Sequence, residues 1–347
     1  MNSPVVDPAC TRMFREAAEA GAAVRVQLER NRAGAARLGA ALRASAPRAV
    51  VTCARGSSDH AATFAKYVIE TRLGVLTASA APSVSSVYGM QQDLRDCLFL
   101  VISQSGRSPD LLAAAQAAKK AGAMVVALVN DEASPLASLA DHTLPLCAGE
   151  EQSVAATKSY IASLAAILHL VAEWVDDPLL LAALARAPGD LERAWQLDWS
   201  EVVGHLRGAS NLFVISRGVG LGIAQEAALK CKETCGLHAE SFSSAEVRHG
   251  PQALLQGGFP ALLLTQDDET RAGIETLAAE LADRGVEVLI AGAKVAGTTN
   301  LPAIAAHPAI EPLLIVQTFY RAANALAIAR GRDPDRPPHL RKITRTT

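Results

Sequence analysis

Apolar residues in this chain collect in short unbroken runs instead of alternating with polar ones. The runs near Val51 and in LFLVISQSG are each followed by a small polar turn and then by residues at helical spacing, and a third run, AGAMVVALVN, ends at Asn130. Such runs suit strands covered on both faces, which predicts a parallel sheet with crossover helices. The same order recurs. VTCARGSSDHAATFAKYVIE, starting at Val51, is matched by LFVISRGVGLGIAQEAALKCKE, starting at Leu212. LFLVISQSG is matched by ALLLTQDDE, and AGAMVVALVN by RGVEVLIAG. Gly56 and Gly218, Gln104 and Gln266, and Asn130 and Gly292 are each 162 positions apart. Element order therefore repeats although few residues do. The expected fold class is α/β, with two similar subdomains, each a parallel sheet flanked by helices in a three-layer sandwich.

Around this repeat the pattern predicts further segments. Helical spacing covers Thr11 to Ala44, with breaks expected at Gly21 and Asn31, and again Ile310 to Arg330. The punctuation DDP, APGD and DW between Trp174 and Trp199 marks where the halves meet. The expected organisation is a helical segment at 1–45, subdomains at 46–175 and 201–330, a linker and helix at 176–200, and a tail at 331–347. The tail, GRDPDRPPHLRKITRTT, holds three prolines and cannot continue a helix. It carries His339, Arg341, Lys342 and Arg345, and either is disordered or folds over a site.

Composition narrows the function. The 347 residues are 50% hydrophobic and only 4% aromatic, which suits packed helices and buried strands and lacks the stacking platforms of single-strand nucleic-acid binders. A net charge of −2 gives no reason to expect a nucleic-acid partner. The six cysteines are scattered, and Cys231 with Cys235 alone do not make a zinc site. The chain start shows no basic run followed by an apolar one, and the apolar stretch Tyr160–Val171 is too short to span a bilayer, so no membrane partner is expected. A cytoplasmic protein with reduced thiols is the expectation. No HExxH motif or Cys/His cluster supports a metal, and neither GxGxxG nor GxxxxGK[ST] supports a nucleotide cofactor.

Chemistry-bearing residues fall at strand ends. Ser103-Gln104-Ser105-Gly106-Arg107-Ser108 joins a buried-type strand to a helix, so hydroxyls and backbone N–H groups converge on one small volume suited to a phosphate monoester. Arg107 either adds positive charge there or faces water, and serines acting only as turn and cap residues are the plain alternative. Gly56-Ser57-Ser58 ends the first strand in the same way, at the same sheet edge. Glu226, Lys230 and Glu233 share one helix face, either as a surface ion-pair ladder or as an acid/base pair beside a ligand site. His249 lies in a Gly/Pro-anchored loop where its pKa suits proton transfer. His238 sits at the end of the charged helix, His60 packs near the first turn, and His142, His169, His205 and His307 are read as structural or exposed.

In this order the motifs resemble the sugar-isomerase (SIS) family, specifically the isomerase half of glutamine–fructose-6-phosphate aminotransferase and its stand-alone relatives. The resemblance runs from about Met13 onward. It rests on GSS at Gly56–Ser58, SQSGRS at Ser103–Ser108, EQSVAATK at Glu151–Lys158, ALKCKE at Ala228–Glu233, HAESFSSAEVRHGP at His238–Pro251 and DPDRPPHLRK at Asp333–Lys342. It implies that Ser57, Ser58, Ser103, Gln104, Ser105 and Ser108 bind the sugar phosphate, and that Val154 and Ala155 line the same pocket through their backbone. It also implies that Glu233 shuttles a proton between C1 and C2, assisted by Lys230. His249 would open the sugar ring from the neighbouring subunit of a homodimer, and Lys342 would form a Schiff base with the open-chain ketose. Arg107 and Ala156 stand where the synthase carries glutamate and serine, and Ser57 where it carries threonine.

The activity this implies is conversion of glucosamine 6-phosphate to fructose 6-phosphate and ammonia, with no cofactor or metal. Alternatives are aldose–ketose isomerisation of a phosphorylated hexose without deamination, ammonia-dependent synthesis of glucosamine 6-phosphate, and non-catalytic phosphosugar sensing. The sequence shows no glutaminase segment, so glutamine-dependent aminotransfer is not expected. Acid/base residues beside a phosphate cradle favour catalysis over sensing.

Overall fold

The computed structural model describes residues 7–342. Residues 1–6 of the expected first segment and residues 343–347 of the expected tail, Arg345 among them, lie outside those. The chain opens with α1 (Arg12–Ala18), capped by the Thr11 hydroxyl, and α2 (Ala20–Ser45). Helix α2 runs through both Gly21 and Asn31, and the interruption falls at Glu19 instead. Side-chain anchoring explains the continuity at the second point: Asn31 donates to the Pro145 carbonyl at 2.8 Å, and Gln27, one turn earlier, donates to the Leu146 and Ala162 carbonyls.

The first sheet is built from β1 (Ala49–Cys53), α3 (Ser57–Leu73), β2 (Thr77–Ser79), α4 (Ser83–Ser86), β3 (Cys97–Ser103), α5 (Pro109–Lys120), β4 (Met124–Val129), α6 (Pro135–Leu139) and β5 (His142–Pro145). Its strand order is β2-β1-β3-β4-β5, all parallel. The non-alternating β3, apolar up to its terminal Ser103, is buried along its whole length, as central strands covered on both faces require. Phe99, Val101, Val125 and Val129 project from one face onto Leu111 and Ala115 of α5 and Leu136 of α6. Right-handed crossovers running outward in both directions from β1 and β3 place α3 on the opposite face from α5.

Two helices follow, α7 (Lys158–Val175) and α8 (Pro178–Trp195). Helix α7 is longer than the apolar stretch suggests. Its 18 residues and mean hydropathy of 1.2 would suffice to cross a membrane, which corrects the expectation drawn from Tyr160–Val171; 89% of it is buried inside the protein, as in a core helix. The DDP punctuation is the start of α8, where Asp177 accepts from the Leu179 and Leu180 amides. APGD does not break the helix: Pro188 lies inside it.

The second sheet follows α9 (Ser200–Leu206) and comprises β6 (Asn211–Ser216), α10 (Leu221–Cys235), β7 (His238–Ser243), β8 (Pro260–Leu264), α11 (Arg271–Asp283), β9 (Glu287–Ala291) and β10 (Thr299–Leu301), before α12 (Glu311–Ala329). Its order, β10-β9-β8-β6-β7, is again parallel and is that of the first sheet read from the other edge. The 162-residue repeat holds into fine detail: Gly74 and Gly236 both end a helix in the left-handed conformation, at φ 65° and 57°. It fails at the outer edge, where β10 begins earlier than a shifted β5 would. The expected α/β architecture of two helix-flanked parallel sheets is thus borne out, with edge strands β2, β5, β7 and β10 added to the three per half that apolar runs predict.

Contacts divide the chain into two compact units that are not contiguous in sequence. Among the described residues, one holds 22–151 and 159–188; the other gathers 7–21, 152–158 and 189–342, so that α1 and the 152–158 loop group with the second sheet.

Candidate active site

In the first unit the strand order reverses between β1 and β3, the place where open α/β sheets bind ligands at the carboxyl ends of their strands. Cys53 and Val101 are register partners, so the Gly56-Ser57-Ser58 and Ser103–Ser108 loops leave neighbouring strand ends, as expected. Ser57 and Ser58 open α3. Ser103 is buried at the end of β3 and its hydroxyl accepts from the Gly106 amide at 3.0 Å, which curls the loop. Gly106 has φ +62°, and a Cβ there would overlap Ser134. The Ser105 hydroxyl accepts from the Arg107 amide at 3.3 Å. Ser108 stands at the N-cap of α5 without a side-chain capping bond, so its hydroxyl is not used by the plain capping role. Gln104 is oriented from behind: its Nε2 donates to the buried Glu151 carboxylate at 2.9 Å, which Ser159 also holds.

Two features of this cradle differ from the sequence reading. Arg107 turns its charge to Asp131 at 2.8 Å, holding that carboxyl below its ordinary range, and is no spare cation for a phosphate. Arg55, which sequence reasoning passed over, reaches the buried Asp110 with Nε and Nη2, both at 2.8 Å, and ties the first loop to the start of α5. Nothing local marks that pair, whose members are 55 positions apart.

The second unit repeats the loop with its charge inverted. Thr265-Gln266-Asp267-Asp268-Glu269-Thr270 stands where the first sheet has Ser103–Ser108. Asp268 fills the cup itself, accepting from the Thr270 amide at 2.9 Å, the Thr270 hydroxyl at 2.5 Å and Gln266 Nε2 at 2.8 Å. A cleft of about 690 Å³ beside it is lined by Asp267, Glu275 and Glu311 together with Arg271 and Lys294, and Arg271 is already paired with Asp267 at 2.8 Å and Glu275 at 2.9 Å. The Asp268 carboxylate occupies the cup itself, which works against a phosphate in this second loop.

Helix α10 brings Glu226, Lys230 and Glu233 together. The ladder reading fails, because Lys230 and Glu226 are wholly buried. Lys230 Nζ lies 3.3 Å from Glu226 Oε1 and donates to Glu233 Oε2 at 2.5 Å, while the buried Tyr320 hydroxyl donates to Glu226 at 3.0 Å. Burial works against the Lys230 charge, but Glu226 and Glu233 outweigh it and hold the ammonium above its ordinary pKa. Glu233 alone of the three reaches solvent, with 21% of its side chain exposed. It lines a cleft of about 520 Å³ between α10 and the tail, with Lys232, Arg332, Asp333, Arg336 and Leu340. A carboxylate facing a cleft with a fixed ammonium behind it can take and return a proton.

The remaining residues divide. Ala155 is buried and Val154 partly exposed in the 152–158 loop, and Lys342 Nζ donates to the Ser153 carbonyl of that loop at 2.8 Å. His249 is exposed on a separate element, the turn after the 3-10 segment Glu246–Arg248, with its amide bonded to the Glu246 carbonyl at 2.9 Å.

Comparison with known proteins agrees with this geometry. The SIS domain family matches residues 44–172 and 205–298, more than half of the chain. A glutamine–fructose-6-phosphate aminotransferase from Aeropyrum pernix is 32% identical over 323 residues, covering 87% of this chain. The chain spans about half the length of such curated relatives, 52% in that case. Their aminotransferase name does not fit the expectation that glutamine-dependent aminotransfer is foreign to this chain. A candidate phosphosugar isomerase structure from Silicibacter pomeroyi is 43% identical, with TM-score 0.90, covering 94% of this chain and all of that one. A glucosamine-6-phosphate deaminase from Thermotoga maritima shares the fold at 22% identity and TM-score 0.76, covering 97% of this chain and 100% of that one.

Proposed function

The chain belongs to the SIS domain family, and from that premise we propose that it is a phosphosugar isomerase/deaminase converting glucosamine 6-phosphate and water to fructose 6-phosphate and ammonia. The observation that carries the reading is Glu233, a cleft-facing carboxylate hydrogen-bonded to a buried ammonium. The phosphate is taken by the Ser103–Ser108 loop with Ser57 and Ser58, through hydroxyls and backbone N–H groups. His249 opens the ring. Glu233 then removes the C2 proton and returns it to C1, which leaves an imine at C2. Water adds to that carbon and ammonia departs, directly or after exchange onto Lys342 as a Schiff base. Lys230 holds Glu233 in place through its 2.5 Å hydrogen bond. In this reading residues 46–175 and 201–330 act as the two modules, the tail to Lys342 covers the site, and two copies assemble with His249 of each serving the other.

The 43% identity to a candidate phosphosugar isomerase favours a second reading, aldose–ketose exchange of a phosphorylated hexose without loss of nitrogen. Incubation with glucosamine 6-phosphate and measurement of both ammonia and fructose 6-phosphate separates the two. Ammonia released in step with the ketose supports deamination. Its absence at micromolar enzyme, with turnover of a neutral hexose phosphate, leaves the simple isomerase. Binding without turnover of either would leave a sensor.

A further inference from the structure

Helix α1 belongs to none of the motifs discussed so far, yet it makes several charge-assisted hydrogen bonds to the 152–158 loop. Glu16 is buried and points its carboxylate into that loop. Its Oε1 accepts from the Gln152 amide at 2.6 Å, and its Oε2 accepts from the Ser153 amide at 3.0 Å and the Ser153 hydroxyl at 2.5 Å. One turn on, Glu19 pairs with the buried Lys158 at 2.6 Å, where the loop enters α7. At its amino end α1 is held by the tail: Asp335 accepts from the Arg12 and Met13 amides at 2.8 and 2.9 Å. The tail returns to the same loop through Lys342 Nζ, which donates to the Ser153 carbonyl.

Ser153 therefore takes Glu16 on its amide and hydroxyl and Lys342 on its carbonyl, directly before Val154 and Ala155. We infer that Glu16 is a positioning residue, a buried carboxylate clamp that sets the Val154–Ala155 backbone and the resting place of the Lys342 amine. The inference rests on the function proposed above. An ionised carboxylate suits the task because it only accepts, and here it meets three donors from two successive residues. An amide in its place turns a donor toward those N–H groups. Helix α1, rigid and fixed at its far end by Asp335, supplies the fixed reference that a loop cannot supply for itself.

The test uses the full chain with Glu16→Gln and the shorter carboxylate Glu16→Asp. Hydrogen exchange at the Gln152 and Ser153 amides is measured beside kcat and KM for glucosamine 6-phosphate. In Glu16→Gln we expect exchange at those two amides to accelerate about tenfold or more as local opening becomes easier. We expect kcat to fall about tenfold or more through misplacement near the chemistry. KM should stay within about threefold, because the phosphate is held chiefly by the hydroxyls and amides of the Ser103–Ser108 loop, while Glu16 bonds to Gln152 and Ser153. Glu16→Asp should keep part of both properties. Wild-type exchange and wild-type kcat in Glu16→Gln would overturn the inference, as would a rise in KM at unchanged kcat. Loss of cooperative unfolding in both variants would also overturn it, since Glu16 would then serve the fold and not the loop. A wild-type protein that turns over no glucosamine 6-phosphate defeats the proposed function instead. In that event amide exchange alone decides the clamp, with equal protection in wild type and Glu16→Gln counting against it.

Discussion

Lys230 is the residue on which burial and charge bear most directly. Its ammonium is out of water, and the carboxylates of Glu226 and Glu233 make that tolerable. Replacing it by Met would leave those carboxylates without a counter-ion and should cost about 3–5 kcal/mol of stability at neutral pH. The pH dependence has a definite sign. A lysine whose folded pKa lies above its unfolded value of 10.5 contributes stability that is complete below that pH and fades as pH rises through the folded value. Denaturant midpoints of wild type and Lys230→Met should therefore differ most at neutral pH and converge above pH 10.5. A constant gap across that range would show that Lys230 is not charged in the folded protein. Ser105 presents a different case, because its hydroxyl makes only a loop contact at 3.3 Å. Ser105→Ala should weaken fructose 6-phosphate binding by about 1.5–3 kcal/mol, roughly ten- to more than a hundredfold, as loss of a hydrogen bond to a charged group predicts. Its melting temperature should be unchanged, and calorimetric titration beside a thermal melt checks both.

At the scale of elements, the loop between β3 and α5 depends on one backbone conformation. Gly106 is at φ +62° and its missing side chain leaves room for Ser134 and Val129. Gly106→Ala combines left-handed strain of about 1–2 kcal/mol with an overlap of about 1–3 kcal/mol. We expect a lower denaturation midpoint and, because the Ser103–Gly106 bond must shift, loss of phosphosugar binding. Retained affinity would mean the loop does not hold the phosphate. Which elements were legible in the sequence follows from the same physics. Central strands β1, β3, β4, β6, β8 and β9 are buried on both faces and read as apolar runs, and Glu226, Lys230 and Glu233 fall on one face because helical spacing is local. Edge strands such as β2 (Thr77–Ser79) and β10 (Thr299–Leu301) are three residues long and largely polar, so nothing distinguishes them from loop. The continuity of α2 rests on Gln27 and Asn31 reaching carbonyls more than a hundred positions away. Glu16 with Ser153, and Asp335 with Arg12, are likewise long-range partners that no window along the chain contains.

For the whole molecule, the distribution of roles carries a prediction about assembly. Glu233 lies on α10 and lines a cleft, whereas His249 stands exposed on a turn flanked by Glu246 and a Gly-Pro pair. An exposed histidine offers its ring to another molecule without desolvation, which supports the proposal that ring opening is performed across a two-fold axis. In such a dimer each chain donates one His249 and receives one, so there are two composite sites. His249→Ala and Glu233→Gln should each be inactive alone. A mixed dimer pairs the intact His249 of one chain with the intact Glu233 of the other in one site, and both lesions fall in its second site. Random exchange of equal amounts gives about half mixed dimers, each with one working site, so activity should recover to roughly a quarter of wild type. Exchange is verified independently by mixing differently tagged chains, and circular dichroism verifies that both variants fold. Recovery near that level places each histidine in its partner's site. Verified exchange with no recovered turnover would mean that His249 and Glu233 of a single chain serve the same substrate, and the dimer would then have no part in ring opening.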